Sequence, residues 1–380
     1  MSIYDKNGSA LLSAYNASGS AIASAFDKNG NVVWGSGHID PTPSNEYEQV
    51  LLNAKNAWKA EYEADSTIIP FVLHTDQHGA LSGSTWQGRF DFLADAVEWN
   101  NVAGCINLGD VTDYNLTNFQ GMQTCLSPIP AAKKINLWGN HDTWDSSWTQ
   151  DQTAVPSQEI WNNLKTYFNN SAYNGYQFFP DTKCSQYMID SQHGVKFVCA
   201  GGWDYDRTLG GYSHYVMDSD NVDSLIQMLS AVDNYDIIFL SHIQPMANNT
   251  GMWIEIYDDG NSSASPITSA VQAIVNESDT KLNQIFLDRM NKSNGTVKDS
   301  YGNTHSYDFR NCTSDLICCL AGHEHAHRYA SFSGLNVTVF DALYYDQQPF
   351  YFVNIDRTNN KMITYRVDTT PRYIRSEIPI

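Results

Sequence analysis

The sequence predicts an α/β protein: two β-sheets packed face to face with helices outside, a two-sheet αββα sandwich, preceded by a small β-rich repeat arm. Three observations predict it. From Ile68 onward, strand-like apolar runs alternate with amphipathic helical stretches, the mark of βαβ units. Toward the carboxyl end the alternation gives way to short hairpin-linked runs, which add antiparallel strands. Five of the apolar runs end in compact polar clusters of Asp, Asn and His, the side of an open α/β sheet where ligands bind.

Residues 1–36 hold an internal repeat. Units beginning at Tyr4, Tyr15 and Phe26 align at a period of eleven, each an aromatic residue, an Asn-Gly or Ser-Gly turn, and a small apolar strand. Asn-Gly between apolar runs is a hairpin signal. An arm over residues 1–40 that serves attachment or oligomerisation is one reading, and a β-rich arm packed on the main domain or a flexible tail is the other. Residues 41–65 form a linker and a helix: Pro41 to Ser44 is stiff, Ser44 is expected to cap, and Asn45 to Ala64 places Val50, Leu51, Ala54, Trp58 and Tyr62 on one face.

The remainder, residues 66–380, reads as the main α/β domain. Strands are expected over Ile68 to Leu73, Val102 to Leu108, Ile135 to Trp138, Asp236 to Leu240 and Asp315 to Ala321. Helices are expected over Arg89 to Trp99, Gln158 to Phe168, Val222 to Val232 and Lys281 to Met290. Gln186 to Asp190 and Val195 to Cys199 form a hairpin around His193 and Gly194, and the runs Val337 to Phe340, Tyr351 to Ile355 and Met362 to Val367 form a terminal antiparallel stretch. Two long connections, Trp203 to Tyr215 and Asn248 to Ser265, carry aromatics that either stack on a substrate or pack the loop onto the sheet.

Composition narrows the function. The formal net charge is −20 although only 17% of residues are charged, and no basic stripe is present, which argues against an extended nucleic-acid surface. The seven cysteines lack metal-finger spacing and read as buried free thiols rather than a disulfide framework. No run is long enough to span a membrane, and the first thirty residues lack the apolar core of a signal peptide. A cytoplasmic location is expected on that ground, with an extracellular or virion-associated one as the alternative suited to the repeats and the Asn/Ser/Tyr-rich surface.

The five polar clusters are Asp76-Gln77-His78, Gly109-Asp110, Gly139-Asn140-His141-Asp142, Ser241-His242 and Gly322-His323-Glu324-His325. Core packing does not require such residues at five strand ends, whereas imidazole, carboxylate and amide oxygen are ligands for zinc, iron or manganese. In order and spacing the clusters resemble the calcineurin-like metallophosphoesterase superfamily, over roughly Ser66 to Asp346. The resemblance implies that Asp76, His78 and His325 hold one metal, that Asn140, His242 and His323 hold the other, and that Asp110 bridges both. It implies a hydroxide bridging two Mn, Fe or Zn ions as nucleophile, since two cations about 4 Å apart need anions between them. His141 would donate a proton to the leaving alkoxide, with Asp142 or a nearby carboxylate orienting it.

Other residues carry plainer expectations. His74 reads as a packed core histidine and His327 as structural or pocket-lining. Arg207 and Arg328 read as surface ion-pair residues before phosphate ligands. Tyr114 keeps an iron–zinc variant open, with Asp113 at the more usual position. The expected activity is hydrolysis of a small phosphodiester or phosphomonoester. The alternative is a non-catalytic surface- or particle-associated binding protein that works through its amino-terminal repeats.

Overall fold

The computed structural model describes residues 25–26, 32–34, 41–78, 84–98, 101–111, 116–139, 142, 170–179, 185–200, 204–205, 215–216, 218–244, 252–256, 262–266, 282–299, 301–323, 325–342, 349–368 and 372–380. The architecture is mixed α/β with two large sheets. The first has six strands in the order Tyr373–Pro379, Lys361–Val367, Phe350–Asp356, Ile68–His74, Cys105–Asn107 and Lys134–Asn136. The second has nine, in the order Ser262–Pro266, Met252–Ile256, Arg328–Phe332, Leu335–Val339, Leu316–Ala321, Asp236–Ser241, Val195–Cys199, Gln186–Asp190 and Gln177–Phe178. The second sheet has a parallel centre and antiparallel flanks, whereas the first has its three parallel strands at one edge and its antiparallel strands at the other.

Three apolar cores follow from these faces. One draws on both sheets, with Phe71, Leu73 and Val353 of the first meeting Phe197, Leu240 and Leu320 of the second. Phe71 and Phe197 meet edge-on at 6.4 Å. The strands of this layer are buried on both faces, which is why Ile68–His74 and Asp236–Ser241 read as unbroken apolar runs. The outer face of the first sheet is covered by helices Glu46–Ala64, Ser84–Glu98 and Leu116–Leu126, and that of the second by Ser219–Ser230 and Leu282–Met290.

Helix Glu46–Ala64 shows how the sequence secures a layer. The expected inward residues Val50, Leu51, Ala54, Trp58 and Tyr62 are all buried. The Trp58 indole N–H donates to Val353 O at 2.9 Å, and its ring packs on Phe352 at 5.3 Å. The N-cap is Asn45 rather than Ser44, since the Asn45 side chain accepts the Glu48 N–H at 3.0 Å. Ser44 instead donates its N–H and hydroxyl to the Glu48 carboxylate, a variant of the reciprocal capping box.

Several sequence expectations shift. Helix Ser84–Glu98 begins five residues before the expected Arg89. The 186–199 hairpin forms as expected, turning at Gly194 with φ +68°. The connection expected from Asn248 to Ser265 contains an antiparallel hairpin that extends the second sheet, because Met252–Ile256 pairs with Arg328–Phe332. Leu335–Val339 belongs to the second sheet, where it runs parallel to Leu316–Ala321, and so is not part of the terminal antiparallel stretch. Within the first forty residues, Ala25–Phe26 pairs antiparallel with Val32–Trp34. The helix expected over 158–168 lies outside the described residues. Six described cysteines are buried and free, and no helix among the described residues is long and apolar enough to cross a membrane.

One buried ion pair ties the helical layer together: the Lys55 ammonium contacts the Asp95 carboxylate between helices, both side chains almost fully enclosed. Removing one partner leaves the other charge in an apolar layer. Lys55→Met is expected to lower unfolding free energy by about 3–5 kcal/mol in a guanidinium titration.

Candidate metal centre

Parallel strands Ile68–His74 and Cys105–Asn107 in the first sheet, and Asp236–Ser241 and Leu316–Ala321 in the second, end at the same side of the molecule. Beyond each end the chain turns sharply. Asp76, His78, Asp110, His323 and His325 adopt left-handed backbone, with φ of 54°, 45°, 51°, 70° and 50°. Side chains with a Cβ take this conformation at a cost of about 1–3 kcal/mol each, and such residues cluster where a site demands them.

Glycines make room for the turns. A Cβ on Gly139 would stand 2.1 Å from Asp110 Oδ1, and one on Gly322 would stand 2.6 Å from Asp76 Oδ2. Backbone bonds keep the turns in register past the strand ends: Asp76 N–H to Gly109 O and His78 N–H to Asp110 O, both 2.9 Å, and Gly322 N–H to His242 O, 2.9 Å.

The result is two adjoining groups. Asp76, His78 and His325 form one, and Asp110, His242 and His323 form the other, the donor atoms within each lying within 4.8 Å of one another. His325 Nε2 is 3.2 Å from Asp76 Oδ1 and 3.2 Å from His78 Nε2. His242 Nε2 is 3.0 Å from Asp110 Oδ2 and 3.9 Å from Asp76 Oδ1, so the groups touch. Each group takes its aspartate from the first sheet and a histidine from the second. Asp76 is further held by the Thr75 hydroxyl at 2.6 Å and the His323 N–H at 3.0 Å. Sequence reasoning passed over Thr75, whose only signal is a hydroxyl beside the first aspartate.

The electrostatics match a cation site. Burial pushes the His242 imidazole down, but the carboxylates of Asp110 and Asp76 outweigh it and raise its pKa to about 9. Burial pushes the Asp76 carboxyl up, and His242 and His325 together bring it below its ordinary value. Burial, with His242 adding to it, drives His323 down to about 4. The His242 Nδ1–H donates to Leu108 O at 3.0 Å, leaving Nε2 toward the carboxylates. His78 and His325 point ring nitrogens at each other, so a proton or another cation must lie between their lone pairs. Two buried carboxylates and four imidazoles thus fit transition-metal ions by donor chemistry.

The other sequence candidates fall in four classes. Asp142 is buried at this edge and accepts the Gly139 N–H at 2.8 Å, so its carboxylate ties the turn together. Asn140 and His141 lie outside the described residues, as do Asp113, Tyr114 and Arg207. His74 and His327 are core histidines, the first edge-on to Phe90 at 5.3 Å and the second stacked on Phe340 at 5.7 Å. Burial holds each at about 3, hence neutral. Arg328 is half-buried at the start of its strand.

No protein-family model and no curated protein sequence matches the chain. Among solved structures, GAP50, the anchor in the inner membrane complex of Plasmodium, is similar at 10% identity and TM-score 0.39, over 82% of this chain and 89% of that one. A phosphopantetheinyl hydrolase from Mycobacterium tuberculosis is similar at 11% identity and TM-score 0.38, over 73% of this chain and 90% of that one. A candidate 5'-nucleotidase from Staphylococcus aureus in complex with alpha-ketoglutarate is similar at 10% identity and TM-score 0.40, over 82% of this chain and 54% of that one. Likeness at this level says nothing of substrate.

The close approaches at the turns are open to test. Gly139→Ala is expected to destabilise the fold by about 1–3 kcal/mol, because Asp110 and its backbone must move. Gly194→Ala meets nothing within 4 Å and carries only the cost of its positive φ, about 1 kcal/mol. Thermal unfolding of the two variants should rank them in that order.

Proposed function

We propose that this chain is a metal-dependent phosphoester hydrolase built on the αββα sandwich of the calcineurin-like metallophosphoesterases. The observation that carries the reading is the convergence of Asp76, His78 and His325 beside Asp110, His242 and His323 at one edge of both sheets. Asp76, His78 and His325 would hold one ion. Asn140, His242 and His323 would hold the other, with Asp110 between them. When bound, such a pair supplies positive charge to phosphoryl oxygens and acidifies water. Manganese, iron and zinc all suit the donors.

The chain's own residues have the remaining tasks. His141 holds a proton for the leaving alkoxide, which needs it as the ester bond breaks. Asp142 accepts the Gly139 N–H and braces the backbone there, and orienting His141 is the task the resemblance implies for it. The Thr75 hydroxyl and the His323 N–H both donate to Asp76 Oδ2, while Oδ1 lies 3.2 Å from His325 Nε2, on the side a cation would take. The substrate assigned to this site is a small phosphodiester or phosphomonoester. The repeat arm over residues 1–40 serves attachment or oligomerisation, or else packs on the main domain or forms a flexible tail.

Elemental analysis of freshly purified protein is expected to give close to two transition-metal ions per chain. Hydrolysis of bis-p-nitrophenyl and mono-p-nitrophenyl phosphate with added manganese should then be measurable, their rate ratio separating diester from monoester preference. His141→Ala should keep the metals and lose activity by roughly 100-fold or more. Neither metal nor turnover after reconstitution would overturn the hydrolase and direct attention to the repeats.

Metal affinity should also depend on pH with a defined sign. Without metal, His242 carries a proton up to about pH 9, and a metal must displace it. Affinity is therefore expected to rise about tenfold per unit from pH 6 toward pH 9 and to level off above. Calorimetry in two buffers of different ionisation enthalpy reads the released proton directly.

A further inference from the structure

Beneath the two turns of the first sheet lies a buried polar cluster that supplies none of the candidate metal ligands. Asn107 is the last residue of strand Cys105–Asn107 and is fully buried. Its Oδ1 accepts the Gly109 N–H at 3.1 Å, in the turn that carries Asp110. The same oxygen takes the Gln77 amide at 3.4 Å, from the turn that carries Asp76 and His78. The Gln77 amide also contacts His74 Nδ1, and the His74 ring is fixed edge-on between Phe90 at 5.3 Å and Phe350 at 6.2 Å. Gln77 lies between two candidate ligands in sequence, yet its side chain is buried among these groups.

We propose that Asn107 is a positioning residue: its amide oxygen pins the Asp76 and Asp110 turns to one point and thereby sets the separation of the two metal groups. Three non-glycine residues of these turns, Asp76, His78 and Asp110, have positive φ, so local backbone preference alone would relax them. Backbone bonds from Asp76 to Gly109 and from His78 to Asp110 fix the register of the turns along the sheet edge. Asn107 adds a side-chain constraint from below, and His74 keeps the Gln77 amide aimed at it. Groups that orient ligands in this way shift metal affinity without touching the metal. This inference rests on the binuclear reading of the site.

The test compares Asn107→Ala, Asn107→Asp and Asn354→Ala by manganese titration and by hydrogen exchange of the metal-free proteins. Asn354 is an equally buried amide of the same sheet that donates to Trp58 O, away from the turns. Asn107→Ala should weaken manganese binding by about 10–100-fold, and Asn107→Asp, which keeps the acceptor, should recover most of it. Exchange at residues 75–78 and 109–111 should speed up in Asn107→Ala alone. Asn354→Ala should lower the melting temperature and leave manganese affinity unchanged. Wild-type affinity and exchange in Asn107→Ala, or an equal loss of affinity in Asn354→Ala, would overturn the assignment. If Asn107→Ala does not fold, Gln77→Leu, which removes only the amide between the turns, must show the same loss and the same exchange, or the assignment fails. Wild-type protein that binds none of manganese, iron and zinc would sink the hydrolase reading, while the exchange arm still decides whether Asn107 pins the turns.

Discussion

The site depends on a backbone that stays hydrogen-bonded after its strands have ended. A strand normally loses its neighbours at its last residue, and a left-handed turn there would fray. Here Leu108 N–H bonds to His74 O, Asp76 N–H to Gly109 O and His78 N–H to Asp110 O, so the ladder between the first two parallel strands runs on into the turns. The second sheet repeats the device with Gly322 N–H to His242 O and Phe340 N–H to Ala321 O. Those bonds hold Asp76, His78, Asp110 and His323 in a conformation that isolated residues avoid. Glycines at 109, 139 and 322 are the complement, since a Cβ at any of them would meet neighbouring atoms under 3.0 Å away.

The second requirement is a fixed spacing between the sheets. His242 Nδ1 reaches across to Leu108 O, and the His323 N–H reaches across to Asp76. Each bond would be lost if the sheets slid by an ångström or two. What prevents sliding is the close-packed layer between them, where Phe71, Leu73, Tyr351 and Val353 interdigitate with Phe197, Leu240 and Phe340. Outer helices make the first sheet rigid in turn, with Trp58 bonded into Val353 and Lys55 paired with Asp95. Core packing far from the edge is thus part of the geometry at the edge.

Much of this was legible in the sequence, and the parts that were not have identifiable causes. Apolar period reveals strands buried on both faces, so Ile68–His74 and Asp236–Ser241 stood out, and the helical face of Val50, Leu51, Ala54, Trp58 and Tyr62 was found inward as read. Hairpin Met252–Ile256 and Ser262–Pro266 was missed because its second strand consists of Ser, Ala and Pro, whose strand character comes from pairing with Met252–Ile256. The hairpin Asn294–Lys298 with Thr304–Asp308 escaped for a similar reason: only Val297, His305 and Tyr307 are buried, too few to make a period. At the site, the sequence yielded groups that the structure brings together: Asp76 with His78 and His325, Asp110 with His242 and His323. It yielded nothing about Thr75 or Asn107, whose roles lie in hydrogen bonds that no residue pattern encodes.

Histidine shows best where pattern stops and environment takes over. His74 and His327 lie within two residues of candidate ligands, and each is as buried as His242. The run His323, His325 and His327 places three imidazoles at alternate positions, of which the sequence reading takes the first two as ligands and the third as structural or pocket-lining. In the structure His327 stacks on Phe340 and meets Tyr351 edge-on, with Arg366 the nearby charge, and burial leaves it neutral near a pKa of 3. His242 has Asp110 at 3.0 Å and sits near 9. Equal burial therefore gives opposite outcomes, and the deciding variable is a carboxylate within hydrogen-bonding distance. A strand-end aspartate is what separates the His242 imidazole from the packed rings of His74 and His327, so the aspartates define this site more than the histidines that outnumber them.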